Sequence, residues 1–319
     1  EDVNPSAVQT YSYKSKQMCM PFNSSTLLLY YNKDAFEEVG LDPAAPPKTL
    51  DEIADACAKL TVTENGQVTR YGFNAVLDRY EMVNLVANQG EGTYFGDNES
   101  GRTGLITKLT CEEEIKNVFE AWDKISKTGG FKYTYDNQNE EFATGMNAMT
   151  LMSSARIGSV TKLTADSGLN WGVTYMPDVN PDDKGGACIG GASLAMFNNG
   201  DQAKADAAWE FIKFAASPET QSTWSQATGY LPINLKTKDL EDYKAFVEGS
   251  PAVALALEQF ESSNPMVQEP VMMMQGSVDA VIKDASTYLC EGEMTAEEAT
   301  GYVIEECNKL FEEYNRSNQ

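Results

Sequence analysis

The feature that most constrains the fold is the continuous apolar run Leu27 to Tyr31, within the stretch MPFNSSTLLLYYNKDAF. A short run that is apolar at every position is typical of a strand buried on both faces. Lys33 and Asp34 then open an amphipathic segment, which indicates the start of a helix. Ser24 and Ser25 come just before the run. They predict either a local polar turn or a strand that crosses between two lobes and points hydroxyl groups at a ligand.

Amphipathic helices alternate with short apolar segments along the rest of the chain. Thr49 with Glu52, and Thr295 with Glu298, have the spacing of capping boxes at two helix starts. The predicted strands are residues 26–31, 71–75, 148–152, 171–176 and 192–197. This alternation predicts an α/β fold with a largely parallel sheet.

Three local predictions concern residues whose environment depends on what packs against them. Residues 90–107, which contain five glycines, predict an exposed hairpin. The apolar spacing of residues 203–217 predicts a helix with Trp209 turned inward. Trp224 on the next helix is predicted to lie in the core, because a large aromatic side chain is usually buried.

Charge and composition exclude several classes of function. The formal net charge is −24, which argues against nucleic acid and anionic membranes as partners. The chain contains no histidine, so Ser-His and Cys-His catalytic pairs and the commonest zinc ligand are absent. No phosphate-binding or dinucleotide-binding glycine motif occurs. We therefore predict no metal and no cofactor. A hydrolase that uses a pair of carboxylates remains the alternative from the enzyme class.

The six cysteines match no zinc-site spacing. Cys290 and Cys307 flank a predicted turn between two helices, so they form either a disulfide or two buried free thiols. No run is long enough to span a membrane, and the first residues do not have the pattern of a secretory signal. Either the protein is cytosolic, or the sequence shown does not begin where the gene product begins.

Four longer stretches now occur in the order typical of one family: PFNSSTLLLYYNKDAFEEVGLDPAAPPKTLDEI, FATGMNAMTLMSSARIGSV, CIGGASLAMF and AWEFIKFAASPETQSTWSQATGYLPIN. Together they resemble the extracellular solute-binding proteins of ABC importers, and most closely the glycerol-3-phosphate-binding branch. The resemblance implies a two-lobe fold of the type II periplasmic binding protein class. It also implies that most of the first lobe is missing from this chain, because family members carry several β/α units before the first stretch.

The resemblance implies a division of the chain between the lobes. Residues 1–25 are expected to be a remnant of lobe I with the first crossing, and residues 26–189 to form lobe II. Residues 190–230 are expected to return to lobe I with two crossings, and residues 231–319 to add the C-terminal helices of lobe II. A clamshell of this kind binds its ligand in the cleft between the lobes.

The resemblance also implies which residues line the cleft: Ser24, Ser25, Ser153, Ser154, Gly190, Gly191, Tyr230, Arg79 and Tyr80. Hydroxyl groups donate to and accept from a polyol, and glycine lets a ligand approach the backbone. For the serines, a turn or a helix cap is the simpler alternative. For the two glycines, backbone freedom alone is the alternative.

The chain departs from the branch where a phosphate would be held. An arginine near the C-terminus of branch members aligns here with Val271 or Asp279. Arg79 and Arg156 are then the remaining candidates for an anion partner, although each is more typical of a surface or ion-pair residue. We therefore predict a sugar or oligosaccharide as the ligand, with glycerol-3-phosphate or a glycerophosphodiester as the alternative.

The resemblance further implies how such a protein works. It is expected to be a monomer that delivers a small molecule to the membrane permease subunits of an importer. Its expected location is the periplasm or the outer face of the cytoplasmic membrane, with a signal peptide on the missing N-terminal part.

Overall fold

The computed structural model describes residues 2–90, 92, 94–197 and 200–318. The helices are α1 Pro5–Thr10, α2 Lys33–Glu38, α3 Leu50–Leu60, α4 Arg79–Asn88, α5 Asp97–Gly101, α6 Glu112–Ser126, α7 Gln138–Ala143, α8 Ile157–Ser167, α9 Gln202–Ala215, α10 Pro218–Thr228, α11 Glu241–Glu248, α12 Pro251–Ser262, α13 Gln275–Cys290 and α14 Ala296–Ser317. The strands are β1 Ser12–Tyr13, β2 Lys16–Gln17, β3 Met20–Ser25, β4 Leu27–Asn32, β5 Val62–Glu64, β6 Gln67–Asn74, β7 Phe131–Lys132, β8 Asn147–Ser153, β9 Trp171–Tyr175, β10 Gly190–Leu194 and β11 Leu231–Pro232.

The larger sheet has the order β5-β6-β8-β4-β9, with β7 paired to β6. Strand β6 runs parallel to β7 and β8, whereas β4 runs antiparallel to both β8 and β9. The prediction of a largely parallel sheet was therefore wrong. The cause is the path of the chain, because β4 enters this sheet directly from another sheet, at the edge where β8 ends.

A smaller antiparallel sheet of order β10-β3-β11 stands beside the larger one. Strand β3 is central and ends at Ser25, and β4 begins at Leu27, so Thr26 alone separates the two sheets along the chain. The register pairs Ser25 with Gly190, and Ser24 with both Gly191 and Leu231. Three segments that are distant in sequence are thus fixed side by side.

Strand β4 is buried on both faces, which confirms the prediction for the apolar run. Leu27, Leu29 and Tyr31 pack into one core cluster with α3, α6, α13 and α14. Leu28 and Tyr30 face the other way and pack with residues of α8 and α12. Burying each of these large side chains contributes about 1.5–3 kcal/mol relative to exposure, so β4 organises the core on both sides of the sheet.

Both predicted capping boxes are present. The Thr49 hydroxyl accepts a hydrogen bond from the backbone N–H of Glu52, and the Thr49 backbone N–H donates to the Glu52 carboxylate in return, at the start of α3. Thr295 and Glu298 do the same at the start of α14. These local signals were readable because both partners lie within one helical turn.

The outer side of α9 and α10 is exposed, contrary to prediction. Trp209 and Trp224 are both exposed, although they were expected inside. Phe211 and Phe214 are also exposed, and the side chain of Phe197 before α9 is 93% exposed. The helices form as predicted, but the aromatic side chains of α9 stay exposed, and Trp224 packs only partly, with its ring centroid 5.0 Å from that of Phe22.

All six cysteines are free thiols, so Cys290 and Cys307 form no disulfide. Burial raises the pKa of each of these two thiols to about 12. A thiol with so high a pKa is a poor nucleophile at neutral pH, which fits a packing role.

The predicted exposed hairpin over residues 90–107 was wrong for the part that is described; Glu91 and Thr93 lie outside the described residues. Phe95, Ser100 and Arg102 are buried there, and α5 occupies the middle of the segment. The buried guanidinium of Arg102 donates hydrogen bonds to four backbone carbonyl oxygens, including those of Gln9 and Glu269. This distant set of acceptors explains why the segment folds inward.

Candidate ligand-binding cleft

Sheet topology brings several chain segments to one edge of the larger sheet. Strands β6, β7 and β8 run parallel, so their carboxyl ends lie at the same edge. The residues that follow them are 75–80, 133–137 and 154–156. Strand β4 runs the opposite way and begins at this edge, because Leu27 pairs with Ser153. The edge therefore faces the smaller sheet, which is where ligands bind in open α/β folds.

Ser25, Gly190 and Tyr80 lie close together where the smaller sheet adjoins α4. A Cβ atom added to Gly190 would lie 2.8 Å from the Tyr80 hydroxyl oxygen and 2.9 Å from Ser25 Oγ. The glycine is thus needed to make room for two hydroxyl groups. Gly191 is required for another reason, since its φ is +123° and an added Cβ would lie 2.0 Å from the Asn23 carbonyl oxygen.

The Tyr80 hydroxyl is buried and has no hydrogen-bond partner among the described residues. The neighbouring Asn84 amide is already used, because it donates to the Tyr80 carbonyl and accepts from the N–H of Cys188. Burial raises the pKa of Tyr80 well above its usual value, so the phenol stays neutral and can donate. A buried hydroxyl without a partner costs about 1–3 kcal/mol.

Ser153 and Ser154 lie at the same edge but have structural partners. Ser154 is fully buried, and its Oγ accepts the backbone N–H of Thr26 at 3.1 Å. Ser154 N–H in turn donates to the Thr26 carbonyl at 2.7 Å. Ser153 Oγ caps the short 3₁₀ helix Ser154–Arg156 by accepting the Ala155 N–H. Each serine keeps a hydroxyl proton, so these bonds limit but do not remove its capacity to donate.

Tyr230 lies beside these serines. Its neighbour Leu231 pairs with Ser24, which places Tyr230 next to Ser25 in the smaller sheet. Gly229 ends α10 with φ +86°, and a Cβ there would lie 3.1 Å from the backbone nitrogen of Gly158 in the first turn of α8. Tyr230 is half-buried between the two sheets' facing edges.

Arg79 is near the cleft but is not free. Its guanidinium is 17% exposed and bonds to the Glu269 carboxylate at 2.7 Å. Its backbone N–H donates to the Asp279 carboxylate at 3.1 Å. Arg156 is exposed at the end of the 3₁₀ helix and makes no ion pair with the described residues.

The sequence analysis missed a polar group next to Tyr80. Asp78 caps α4, and Glu81 in the same first turn is buried. The hydroxyl of Tyr135 lies 2.8 Å from Asp78 and 3.1 Å from Glu81. The Lys283 ammonium lies 2.8 Å from Asp279 and 3.8 Å from Asp78. Of these contacts, only the cap of α4 by Asp78 could be predicted from the sequence, since an Asp directly before a helix is typical of a cap.

Two absences concern the described residues only. No group of three or more acidic, cysteine or histidine side chains is arranged there to hold a metal ion. No helix there has both the length and the apolar character needed to cross a membrane.

Comparison with known proteins agrees with this geometry. The family described as bacterial extracellular solute-binding protein matches residues 2–250. The chain is 31% identical over 306 residues to the sn-glycerol-3-phosphate-binding periplasmic protein UgpB of Shigella dysenteriae, with 94% of this chain and 68% of that protein covered.

Two solved structures have the same fold. UgpB from Mycobacterium tuberculosis in complex with glycerophosphocholine has a TM-score of 0.79 at 21% identity, covering 100% of this chain and 76% of that one. The cyclic alpha-maltosyl-1,6-maltose binding protein from Arthrobacter globiformis has a TM-score of 0.78 at 22% identity, covering 97% and 76%. These are two-lobe proteins, which confirms the predicted fold class. The chain belongs to the bacterial extracellular solute-binding proteins, which capture small solutes for ABC importers.

Proposed function

We propose that the ligand is a neutral polyhydroxylated sugar, bound by the hydroxyl groups of Ser25 and Tyr80. The observation that supports this proposal is the ion pair of Arg79, the arginine nearest Tyr80 in sequence. Its guanidinium is already bonded to the Glu269 carboxylate. A phosphate would have to displace that carboxylate. A sugar hydroxyl needs only partners such as the buried, unpaired Tyr80 hydroxyl and Ser25 Oγ.

The charge around Tyr80 supports the same choice. Asp78, Glu269 and Asp279 carry three negative charges, against the positive charges of Arg79 and Lys283. One uncompensated negative charge about 8 Å from a phosphate opposes binding by roughly 2 kcal/mol at an effective dielectric constant near 20. A neutral sugar carries no charge, so these carboxylates do not repel it.

Glycerol-3-phosphate or a glycerophosphodiester is the second candidate. It is favoured by Arg156, which is exposed beside Ser154 and has no ion-pair partner among the described residues. The names of the relatives point the same way, since they include glycerol-3-phosphate-binding and glycerophosphocholine-bound proteins.

A thermal-shift series with maltotriose, sn-glycerol-3-phosphate and glycerophosphocholine decides between the candidates. A ligand at a hundred times its dissociation constant adds about 2.7 kcal/mol to the free energy of unfolding. We expect maltotriose to raise the melting temperature and glycerol-3-phosphate to leave it unchanged. A rise with glycerol-3-phosphate that Arg156→Ala abolishes would establish the second candidate instead.

Substrate-binding proteins of importers deliver small molecules to permease subunits, and this chain is a member of that class. We propose that it acts as a monomer at the periplasmic or outer face of the membrane, after export by a signal peptide. We propose no catalytic activity and no nucleic-acid partner. The absence of turnover of glycosides and phosphodiesters by purified protein is the expected result.

We also propose the division into lobes that the resemblance implies, with residues 1–25 and 190–230 in lobe I and residues 26–189 and 231–319 in lobe II. The separation of the two sheets between Ser25 and Leu27 supports it. The exposed aromatic side of α9 supports a lobe I of which this chain holds only part.

A further inference from the structure

The ion pair between Arg79 and Glu269 joins two segments of the chain that lie 190 positions apart. A guanidinium nitrogen of Arg79 lies 2.7 Å from a carboxylate oxygen of Glu269, and the two side chains are only 17% and 19% exposed. Water screens such a pair less than it screens a pair on the surface. Arg79 is therefore occupied as long as Glu269 keeps its charge and its position.

Glu269 is held in place through its backbone as well as its carboxylate. Its carbonyl oxygen accepts a hydrogen bond from the guanidinium of Arg102 at 2.6 Å. The same buried guanidinium donates to three further backbone carbonyl oxygens, at the end of α1 and the start of β1. Rotation of the Glu269 side chain alone would leave the Arg79 charge without its partner, which is unfavourable at a partly buried position. The carboxylate is thus fixed against Arg79.

The pair lies at the edge of the larger sheet that faces the smaller sheet. Arg79 is the first residue of α4 and directly precedes Tyr80, whose hydroxyl lies beside Gly190 and Ser25. Burial raises the pKa of Tyr80, and the negative charge of Glu269 raises it further. The Glu269 charge therefore acts at the Tyr80 hydroxyl, and it would act in the same way on an anion bound there.

The other charged groups nearby leave Glu269 as the partner of this guanidinium. Lys283 lies 2.8 Å from Asp279 and 3.8 Å from Asp78, so these two carboxylates share its ammonium group. Among the described residues, Glu269 is the one carboxylate in contact with the guanidinium of Arg79. Removal of the Glu269 charge would leave two negative and two positive charges in this group, with the guanidinium of Arg79 lacking an anionic partner.

We propose that Glu269 determines the charge selectivity of the cleft. Its carboxylate occupies Arg79 and so excludes anionic ligands such as phosphate and its esters, and without that charge Arg79 becomes a phosphate-binding residue. This inference deepens the sugar-binding function proposed above and rests on it for the natural ligand. The exclusion of anions is tested separately. No local sequence pattern indicated this role, because it depends on a contact between distant segments.

The experiment measures inorganic phosphate binding to the wild type and to Glu269→Gln, by thermal shift and calorimetry, with chloride of equal ionic strength as the reference. Glutamine keeps an oxygen that can accept a hydrogen bond from Arg79 but carries no charge. We expect phosphate to leave the melting temperature of the wild type unchanged and to raise that of Glu269→Gln. The affinity of the variant for phosphate should be at least about tenfold higher. A variant that responds to phosphate as the wild type does overturns the proposal.

Two control variants assign the gain to Arg79. Glu38→Gln is the matched control, because Glu38 lies 2.7 Å from Arg70, whose side chain is 14% exposed and which lies in the half of β6 that pairs with β5. It should respond to phosphate as the wild type does. The double variant Arg79→Gln, Glu269→Gln lacks the guanidinium and should gain no phosphate binding. A gain in either control overturns the assignment.

Loss of one partner of a partly buried ion pair can also destabilise the fold. Should Glu269→Gln show no melting transition in chloride, it is refolded in phosphate. Recovery of the transition in phosphate supports the proposal, and its absence in both salts overturns it. Maltotriose binding to the wild type is measured separately. Its failure overturns the sugar function alone, because the phosphate series contains no sugar, whereas phosphate binding by the wild type overturns the exclusion of anions.

Discussion

At the scale of single residues, the sequence indicated which polar side chains to examine but not which partners they have. Ser25, Gly190 and Tyr80, three of the predicted site residues, lie close together. Their ligand contacts stay a prediction. Arg79 was a candidate anion partner, yet it bonds to Glu269, which is 190 positions away. An ion pair between distant segments leaves no local signal, so only the folded chain reveals it.

At Gly191, a single added methyl group should strongly destabilise the fold. An added Cβ would lie 2.0 Å from the Asn23 carbonyl oxygen, and its φ of +123° disfavours any L side chain. We expect Gly191→Ala to lower the free energy of unfolding by at least about 2 kcal/mol. Denaturant titration measures this.

Gly301 provides the contrasting control. It lies inside α14, and an added Cβ there would touch nothing within 4 Å. Gly301→Ala should raise the free energy of unfolding by about 1 kcal/mol, because alanine is the better helix former. A Gly191→Ala variant as stable as the wild type would mean that the pairing of β10 with β3 is wrong.

At the scale of helices and strands, an element was predicted correctly when the contacts that determine it lie close together in sequence. The capping boxes of α3 and α14 and the doubly buried β4 were predicted, since each is encoded within a few residues. The direction of β4 was not, because it is set by the entry of the chain from the smaller sheet. The segment around α5 was mispredicted because its glycines suggested exposure, whereas the carbonyl acceptors of Arg102 that hold it inward lie far away.

Segment α5 also contains three consecutive residues with left-handed backbone angles, Asn98, Glu99 and Ser100. Glu99 has φ +53° and is exposed, so its Cβ carries a steric cost of about 1–2 kcal/mol with little packing to offset it. We expect Glu99→Gly to stabilise the protein by roughly 0.5 kcal/mol, after the entropy cost of glycine in the unfolded chain.

The matched substitution is Glu120→Gly, at an exposed position inside α6 with ordinary helical geometry. It should destabilise the protein by about 1 kcal/mol. Thermal unfolding of the two variants therefore shifts in opposite directions. A loss of stability in both would show that Glu99 is not strained.

At the scale of the whole molecule, the family and its two-lobe fold were predictable from four ordered motifs. Which large apolar side chains are exposed was not. The apolar spacing of α9 predicted that Trp209 is buried, but spacing alone does not show whether anything packs over a helix. Trp209, Phe211 and Phe214 remain exposed on that helix. Exposed aromatic side chains gathered on one helix usually mark an interaction surface.

This surface should bind an uncharged apolar dye. We expect Nile red fluorescence to rise with the 319-residue chain and to fall by more than half in the double variant Phe211→Ser, Phe214→Ser. Met266→Ser removes an exposed apolar side chain outside α9 and should change little. Equal fluorescence in the double variant and the wild type would mean that α9 is covered in solution.

The short connection at Thr26 has a mechanical consequence. Its backbone N–H and carbonyl are both bonded to Ser154, and its hydroxyl accepts from the Gln259 side chain. The neighbouring connections contain Gly190 and Gly229, whose backbones can rotate more freely. Thr26 is therefore held more firmly than these connections, so any swing of one sheet against the other would be absorbed by the connections on either side of it.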